Sequence, residues 1–267
     1  MRACAGTRRR DRELYVPRSW TCAPHRCRAA GLGGATVFAT KPELAARMIG
    51  RFVDAGQRVG WVPGDEVYGS NPKLRTALEE RQVGCVLAVA CSHEVTTSAG
   101  RFRADALAAK VPKRAWQKLS AGAGAKGHRF YDWAVIDLAE PRPGSRQLLI
   151  RRNRTTGELA YYRCFCPAPV SLAAPGRVAG SRWRVEETFP SGKGLAGLDE
   201  HQVRSAPRGR ELSPPWPSPL GGRADHVVAV RVPSAAPALR AEARTLGFTA
   251  IAVMLICLRR LGVSAGR

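Results

Sequence analysis

The run VGCVLAVA over residues 83–90 is the tightest constraint on what this chain can fold into. A charge-free stretch of that length, rich in valine and small apolar side chains, reads as a strand buried on both faces. Such a strand needs a covering layer on each side, and the residues before it supply candidates. Thr40-Lys41-Pro42-Glu43 has the form of a capping box with proline in the first turn. Behind it Leu44, Ala45, Met48, Ile49, Phe52 and Val53 recur at helical spacing, which predicts an amphipathic helix over 41–54 that Gly56 ends. RVGWV (58–62) reads as a short strand closed by Pro63-Gly64. Asn71 caps and Pro72 opens a second helix through Arg81, with Leu74 and Leu78 facing inward. With RELYV (13–17) as a first strand, the order is strand–helix–strand–helix–strand, the pattern of an α/β fold with parallel strands.

The texture changes near Arg101. Residues 101–129 carry eight Lys or Arg against one acid, Asp105. Strand-like runs follow at 130–138, 146–151 and 159–165, the last two joined by Asn153-Arg154-Thr155-Thr156-Gly157, a good hairpin turn. A helical segment is expected over 171–198, interrupted upstream by Pro175-Gly176. Beyond Arg204 come runs such as SPPWPSPLGGR and VPSAAPALR, which cannot form a packed element. The chain thus divides into 1–10, an α/β part over 11–100, a basic β-rich insertion over 101–167, a helical return over 168–204 and a low-complexity tail over 205–267.

Charge sets the class of partner. Lys plus Arg total 43 against 21 Asp plus Glu, a net +22 with a pI of about 10.9. That excess calls for a polyanion, nucleic acid before an anionic membrane surface. The apolar stretch 246–258 is shorter than the roughly 20 residues of a spanning helix, and the basic N-terminus has no apolar run behind it, so neither a membrane span nor a secretory signal is expected. Eight scattered cysteines suit free thiols in a reducing cytoplasm. Cys22, His25 and Cys27 make at most half a zinc site. Cys164 and Cys166 alternate along a strand and share one face, which reads as packing.

Three places carry candidate chemistry. Gly122-Ala123-Gly124-Ala125-Lys126-Gly127 matches a dinucleotide fingerprint by letter, but a helix-like basic segment precedes it and a strand-like run follows, the reverse of what that motif requires. As a flexible loop carrying Lys126, His128 and Arg129, it suits approach to a phosphate backbone. Asp65 stands just past the carboxyl end of a strand, where open α/β sheets gather ligands; stabilising a turn or a helix N-terminus is the alternative. Arg182, Glu186 and Lys193 fall within roughly 40° of one another at the helical advance of about 100° per residue. They form either a solvated ion-pair face or a carboxylate between phosphate-binding cations, suited to metal-assisted phosphodiester chemistry.

Arg182, Glu186 and Lys193 have the spacing of the R-E-K part of a Tyr-Arg-Glu-Lys signature. WVPGDEVYG around Asp65, GLDEHQVR (197–204), DRELYVPRSW (11–20), ATKPELAARMI (39–49), GAGAKGHRFYDWA (122–134) and LIRRNRTTGELAYYRC (149–164) add to it. Together they resemble the bacterial insertion-sequence DDE transposases with a β-strand insertion in an RNase H-like domain, over roughly residues 11–204. The resemblance implies DNA transposition, with binding at transposon ends by a homodimer and strand cleavage and transfer. It implies Mg²⁺ (or Mn²⁺) held by three carboxylates, of which Asp65 is the second and Glu186 the third. Arg182 and Lys193 would hold DNA phosphates, and the location would be the nucleoid of a bacterial cytoplasm. An aromatic of the insertion, such as Trp133 or Tyr161, would stack on a displaced base or pack in the core.

Departures from the family set further expectations. The first catalytic Asp is not found upstream of Asp65, where the acids are Asp11, Glu13, Glu43 and Asp54. Ala179 stands at the signature tyrosine position, and Pro190 falls inside the Glu186–Lys193 segment. The family-like sequence stops at Arg204. These features predict a truncated, frame-disrupted copy with an incomplete two-metal site, an incomplete RNase H-like domain and impaired catalysis. The rival class is a non-enzymatic basic nucleic-acid-binding protein using 101–129 and 151–154; a peripheral membrane protein using 244–258 is a third.

Overall fold

The computed structural model describes residues 12–29, 31–32, 36–57, 59–124, 127–182 and 229–231. In chain order the elements are β1 (Arg12–Leu14), α1 (Arg18–Thr21), α2 (Pro24–Ala29), α3 (Lys41–Asp54), β2 (Trp61–Gly64), α4 (Glu66–Gly69), α5 (Pro72–Glu80) and β3 (Gly84–Val89). A small hairpin of β4 (Glu94–Thr97) and β5 (Gly100–Arg103) follows, then α6 (Ala104–Ala109). The long strands β6 (Gln117–Gly124), β7 (Gly127–Asp137), β8 (Ser145–Arg152) and β9 (Leu159–Cys166) come next, then helix α7 (173–182) and β10 (Ala229–Arg231).

One six-stranded sheet in the order β2-β3-β9-β8-β7-β6 organises the fold. Only β2 and β3 pair in parallel; β3–β9, β9–β8, β8–β7 and β7–β6 are antiparallel. The expected parallel α/β sheet is therefore a mixed one, because the insertion adds its strands directly to β3 instead of forming a separate layer. Tight turns favour this. Asn153 Oδ1 accepts from the amides of Thr155 and Thr156, and Gly157 takes a φ of 75°, so β8 returns immediately as β9.

The helices follow their sequence signals. Thr40 accepts from the Glu43 amide while Glu43 Oε2 accepts from the Thr40 amide at 2.8 Å, the reciprocal capping box that opens α3. Asn71 accepts from Leu74 at 2.9 Å and Pro72 starts α5. From α3 and α5, Leu44, Met48, Ile49, Phe52, Leu74 and Leu78 pack on Val62, Cys85, Leu87 and Phe165 of one sheet face. Each such side chain stabilises the fold by about 1.5–3 kcal/mol. Further along the same face, α6 and the β4–β5 hairpin cover Leu148, Ile150 and Tyr161. The other face carries Trp61, Val86, Trp133, Leu149, Tyr162 and Cys164, and α7 lies on it through Val178 and Ala179. VGCVLAVA is thus a strand buried on both faces, as its composition requires.

Several boundaries differ from the sequence expectation. RELYV does not enter the main sheet: Arg12–Leu14 pairs in parallel with Ala229–Arg231, so part of the supposed unpacked tail forms a strand. The strand expected at 58–62 is Trp61–Gly64 and includes Pro63, which an edge strand tolerates because one side of it has no ladder to lose. The segment before the glycine loop is strand, not helix, so the loop is the tip of the β6–β7 hairpin. Pro175-Gly176 does not interrupt α7, since the proline falls in its first turn. Glu186, Lys193, Lys126 and the segment 244–258 lie outside the described residues.

Candidate functional site

The site is built around the carboxyl end of β2. Gly64 pairs with Leu87, and Leu87 with Arg163, so the residue after Gly64 stands level with Ala88 on β3 and Tyr162 on β9. That residue is Asp65. Its backbone is extended (φ −83°, ψ −173°), so side-chain alternation continues through it. Trp61 belongs to the α7-covered face and Val62 to the opposite one; alternation therefore gives Asp65 to the α7 face.

Asp65 Oδ1 accepts from the Val67 amide at 2.9 Å, capping the single-turn α4. The helix-capping reading of this residue is what the geometry displays. The cap also holds the carboxylate at the strand end. Gly69 closes the turn, and a Cβ there would lie 1.8 Å from the Ala88 carbonyl oxygen. Only glycine allows α4 to press so closely on β3. Tyr68 points into the core under the sheet, and burial, reinforced by the Asp65 charge, raises its phenol above the ordinary tyrosine value.

Arg182 is the last residue of α7, on the Asp65 face of the sheet. Its charge reaches the Tyr162 phenol, where it opposes the stronger upward push of burial. α7 is seated by glycines. A Cβ on Gly180 would fall 1.8 Å from the Ala121 carbonyl oxygen, and Gly176 lies over the Trp133 ring. The structure thus brings Asp65 and α7 to one face, while Glu186 and Lys193 lie outside the described residues. Arg129 is half-buried on β7 near the hairpin tip, four strands away from β2 in the sheet.

The described acids upstream of Asp65 are engaged elsewhere. Glu13 pairs with Arg51 at 2.5 Å, Glu43 closes the α3 cap, and Asp54 lies 3.9 Å from Arg81. No group of three or more His, Cys, Asp or Glu among the described residues is placed to hold a metal ion. Asp65 alone, with one oxygen committed to Val67, does not make up a two-ion site.

Against this geometry, the family model for the DDE superfamily endonuclease matches residues 10–147. The chain belongs to the DDE superfamily of endonucleases. The matched span includes Asp65, both strands of the parallel pair and the start of the inserted hairpins, and the mixed α/β sheet is consistent with an RNase H-like DDE domain. Membership supports a transposase- or nuclease-like function on DNA, and DDE superfamily endonucleases generally use divalent metals. No curated protein matches the chain. No helix among the described residues is long and apolar enough to cross a membrane.

Two features of this DDE domain escaped the sequence reading. One is an exposed strip on the outer hairpin: Phe130 is 48% exposed, with Lys118 Nζ 5.2 Å from its ring and His128 beside it. The other is a set of arginines around Glu79 and Glu140. Arg163 within LAYYRCFC was its signal, because an arginine in a buried strand requires an acid nearby. The aromatics that were singled out are core: Trp133 is fully buried and donates to the Leu119 carbonyl, and Tyr161 packs with Leu148 and Ile150. Cys164 and Cys166 are buried thiols, both raised by burial, and the six described cysteines are unpaired. Cys27 is buried and donates to the Trp20 carbonyl, which gives it a packing role.

Proposed function

We propose that the chain is a transposase-type protein acting in DNA transposition, binding the double-stranded ends of a transposon as a homodimer, with phosphodiester cleavage and strand transfer impaired in this copy. The observation that carries the reading is Asp65, fixed at the carboxyl end of β2 inside the family-matched span, on the sheet face where α7 leads toward Glu186. Asp65 and Glu186 are the proposed ligands of Mg²⁺ or Mn²⁺, which would polarise the scissile phosphodiester and its attacking oxygen. Arg182, Lys193, Lys126 and Arg129 are the proposed phosphate contacts. The impairment follows from the acids before Asp65, whose described members Glu13, Glu43 and Asp54 each serve another contact. A bacterial cytoplasmic, nucleoid-associated location goes with this role.

The test incubates the full chain with duplexes carrying the ends that flank its gene, in Mn²⁺. The expected result is binding that prefers those ends over a scrambled duplex, without strand cleavage. Cleavage abolished by Asp65→Ala would overturn the impairment. Equal affinity for end and scrambled DNA would sink the transposase reading and leave the basic nucleic-acid-binding alternative, which the exposed Lys118–Phe130 strip favours.

A further inference from the structure

The arginines behind β9 outnumber the acids that neutralise them. Arg146 is almost wholly buried, with 3% of its side chain exposed; it donates to Glu79 at 2.8 Å and forms an ion pair with Glu140 at 3.2 Å. Arg163, 11% exposed, pairs with the same Glu140. Arg142 lies 3.9 Å from Glu79. Arg75 gives a hydrogen bond to the Gly69 carbonyl at 2.5 Å. Four guanidinium groups therefore gather around two carboxylates, Glu79 and Glu140, and the surplus is two positive charges, associated with the part-buried Arg75 and with Arg142 at the exposed rim.

This surplus borders an open cleft of about 360 Å³, lined by Arg75, Thr76, Glu79, Glu140, Arg142 and Arg163 between Pro72 and Pro141. The volume is at the small end of ligand-binding clefts. The charges of Arg75 and Arg163 also bear on His93. Its Nε2 is buried without a hydrogen-bond partner. Burial, then the charges of Arg75 and Arg163, lowers its basicity, with Glu94 opposing. Arg75 and Arg142 are the donors least committed to carboxylates, and they approach the cleft from α5 and from the loop before β8.

We propose that this cleft binds a phosphate-class anion, with Arg75 and Arg142 donating to its oxygens and Thr76 available as a hydroxyl donor. Up to two negative charges on a free phosphate or monoester, or one from each of two backbone phosphodiesters, would offset the surplus, and guanidinium forks match phosphate oxygens bidentately. The phosphate can come from a DNA backbone or from a free phosphate-bearing small molecule. The backbone source rests on the proposed function; α5 places the cleft on the sheet face opposite that of Asp65, so a backbone held there would be a second contact away from Asp65.

The experiment compares the full wild-type chain with Arg142→Ala, whose side chain is 59% exposed, and with Arg75→Ala, all checked for native circular dichroism. Thermal unfolding is followed in inorganic phosphate against chloride at matched ionic strength, and affinity for a labelled duplex is measured across salt. Phosphate is expected to raise the wild-type midpoint and to lose that effect in both variants. If the backbone is the source, each variant also weakens duplex binding by about tenfold and lowers the salt slope by about one. Lost phosphate stabilisation with an unchanged slope assigns the cleft to a free ligand. Phosphate that stabilises wild type no more than chloride, or stabilises the variants equally, overturns the proposal. A chain that binds no DNA at all refutes the proposed function while leaving the phosphate measurement to decide the cleft.

Discussion

Trp133 and Phe130 lie three residues apart on β7 and meet opposite surroundings. Trp133 is fully buried beneath α7, its indole nitrogen donating to the Leu119 carbonyl. Phe130 is 48% exposed, with the Lys118 ammonium and the His128 ring beside it. The strand runs from a region covered on both faces to one where the Phe130 side is open, and its polar neighbours change along the way. Inside, arginines are tied to acids, as Arg146 is to Glu79. At the rim, they stand over rings as well: Arg152, paired with Asp132, lies 4.2 Å from the centroid of Trp116, and Arg151 lies 4.7 Å from that of Tyr131. The basic character thus divides into cations that hold the fold and cations that face outward, and net charge alone cannot separate them.

Mutations should widen that contrast. Trp133→Ala empties the space beneath α7 and is expected to destabilise by about 4 kcal/mol, read from a denaturant midpoint. A loss under 1 kcal/mol would mean the α7 face is not a core. Gly69→Ala should cost about 3 kcal/mol, since the new methyl meets backbone that cannot swing aside. Thr40→Ala removes the α3 cap, at about 1 kcal/mol. It also has a pH signature. The Thr40 amide and hydroxyl hold the Glu43 carboxyl below its ordinary value of 4.5. A carboxylate lowered on folding contributes stability that is present above the unfolded value and lost as pH falls through the folded one. The variant keeps the amide and loses only the hydroxyl, so wild type should lose more stability than Thr40→Ala on acidification below pH 4.5, and parallel curves would show that the hydroxyl contributes nothing to the shift. At the rim, Phe130→Ala should move the midpoint by no more than about 0.5 kcal/mol while weakening duplex binding. A large stability loss there would erase the distinction between the two regions.

The inner region was the more legible in the sequence. α3 was readable to the residue because capping box, proline and apolar period all agree, and β3 because an uninterrupted apolar run of that length has few other uses. The β8–β9 hairpin followed from its Asn-to-Gly turn. What sequence could not supply was non-local. Nothing in Ser145–Arg152 says that its partner β9 will join β3 and make one sheet of two expected layers. The strand β6 was misjudged because its glycines and basic residues lack alternation; what makes it a strand is its pairing with β7. Asp65 was found by position at a strand end. The arginine cleft was missed because its members, Arg75, Arg142 and Arg163, are scattered in sequence and meet only once α5 and β9 are packed.

The contact between Gly69 and the Ala88 carbonyl has a consequence for how this chain tolerates change. It makes the stretch from Asp65 to Gly69 a ruler of fixed length, pinned at one end by β2 and at the other by the backbone of β3. One inserted residue would turn everything beyond it by about 100°, sending either the carboxylate or the glycine out of register. Length at this point is therefore as strictly constrained as chemistry, and drift elsewhere in the chain leaves that gauge intact.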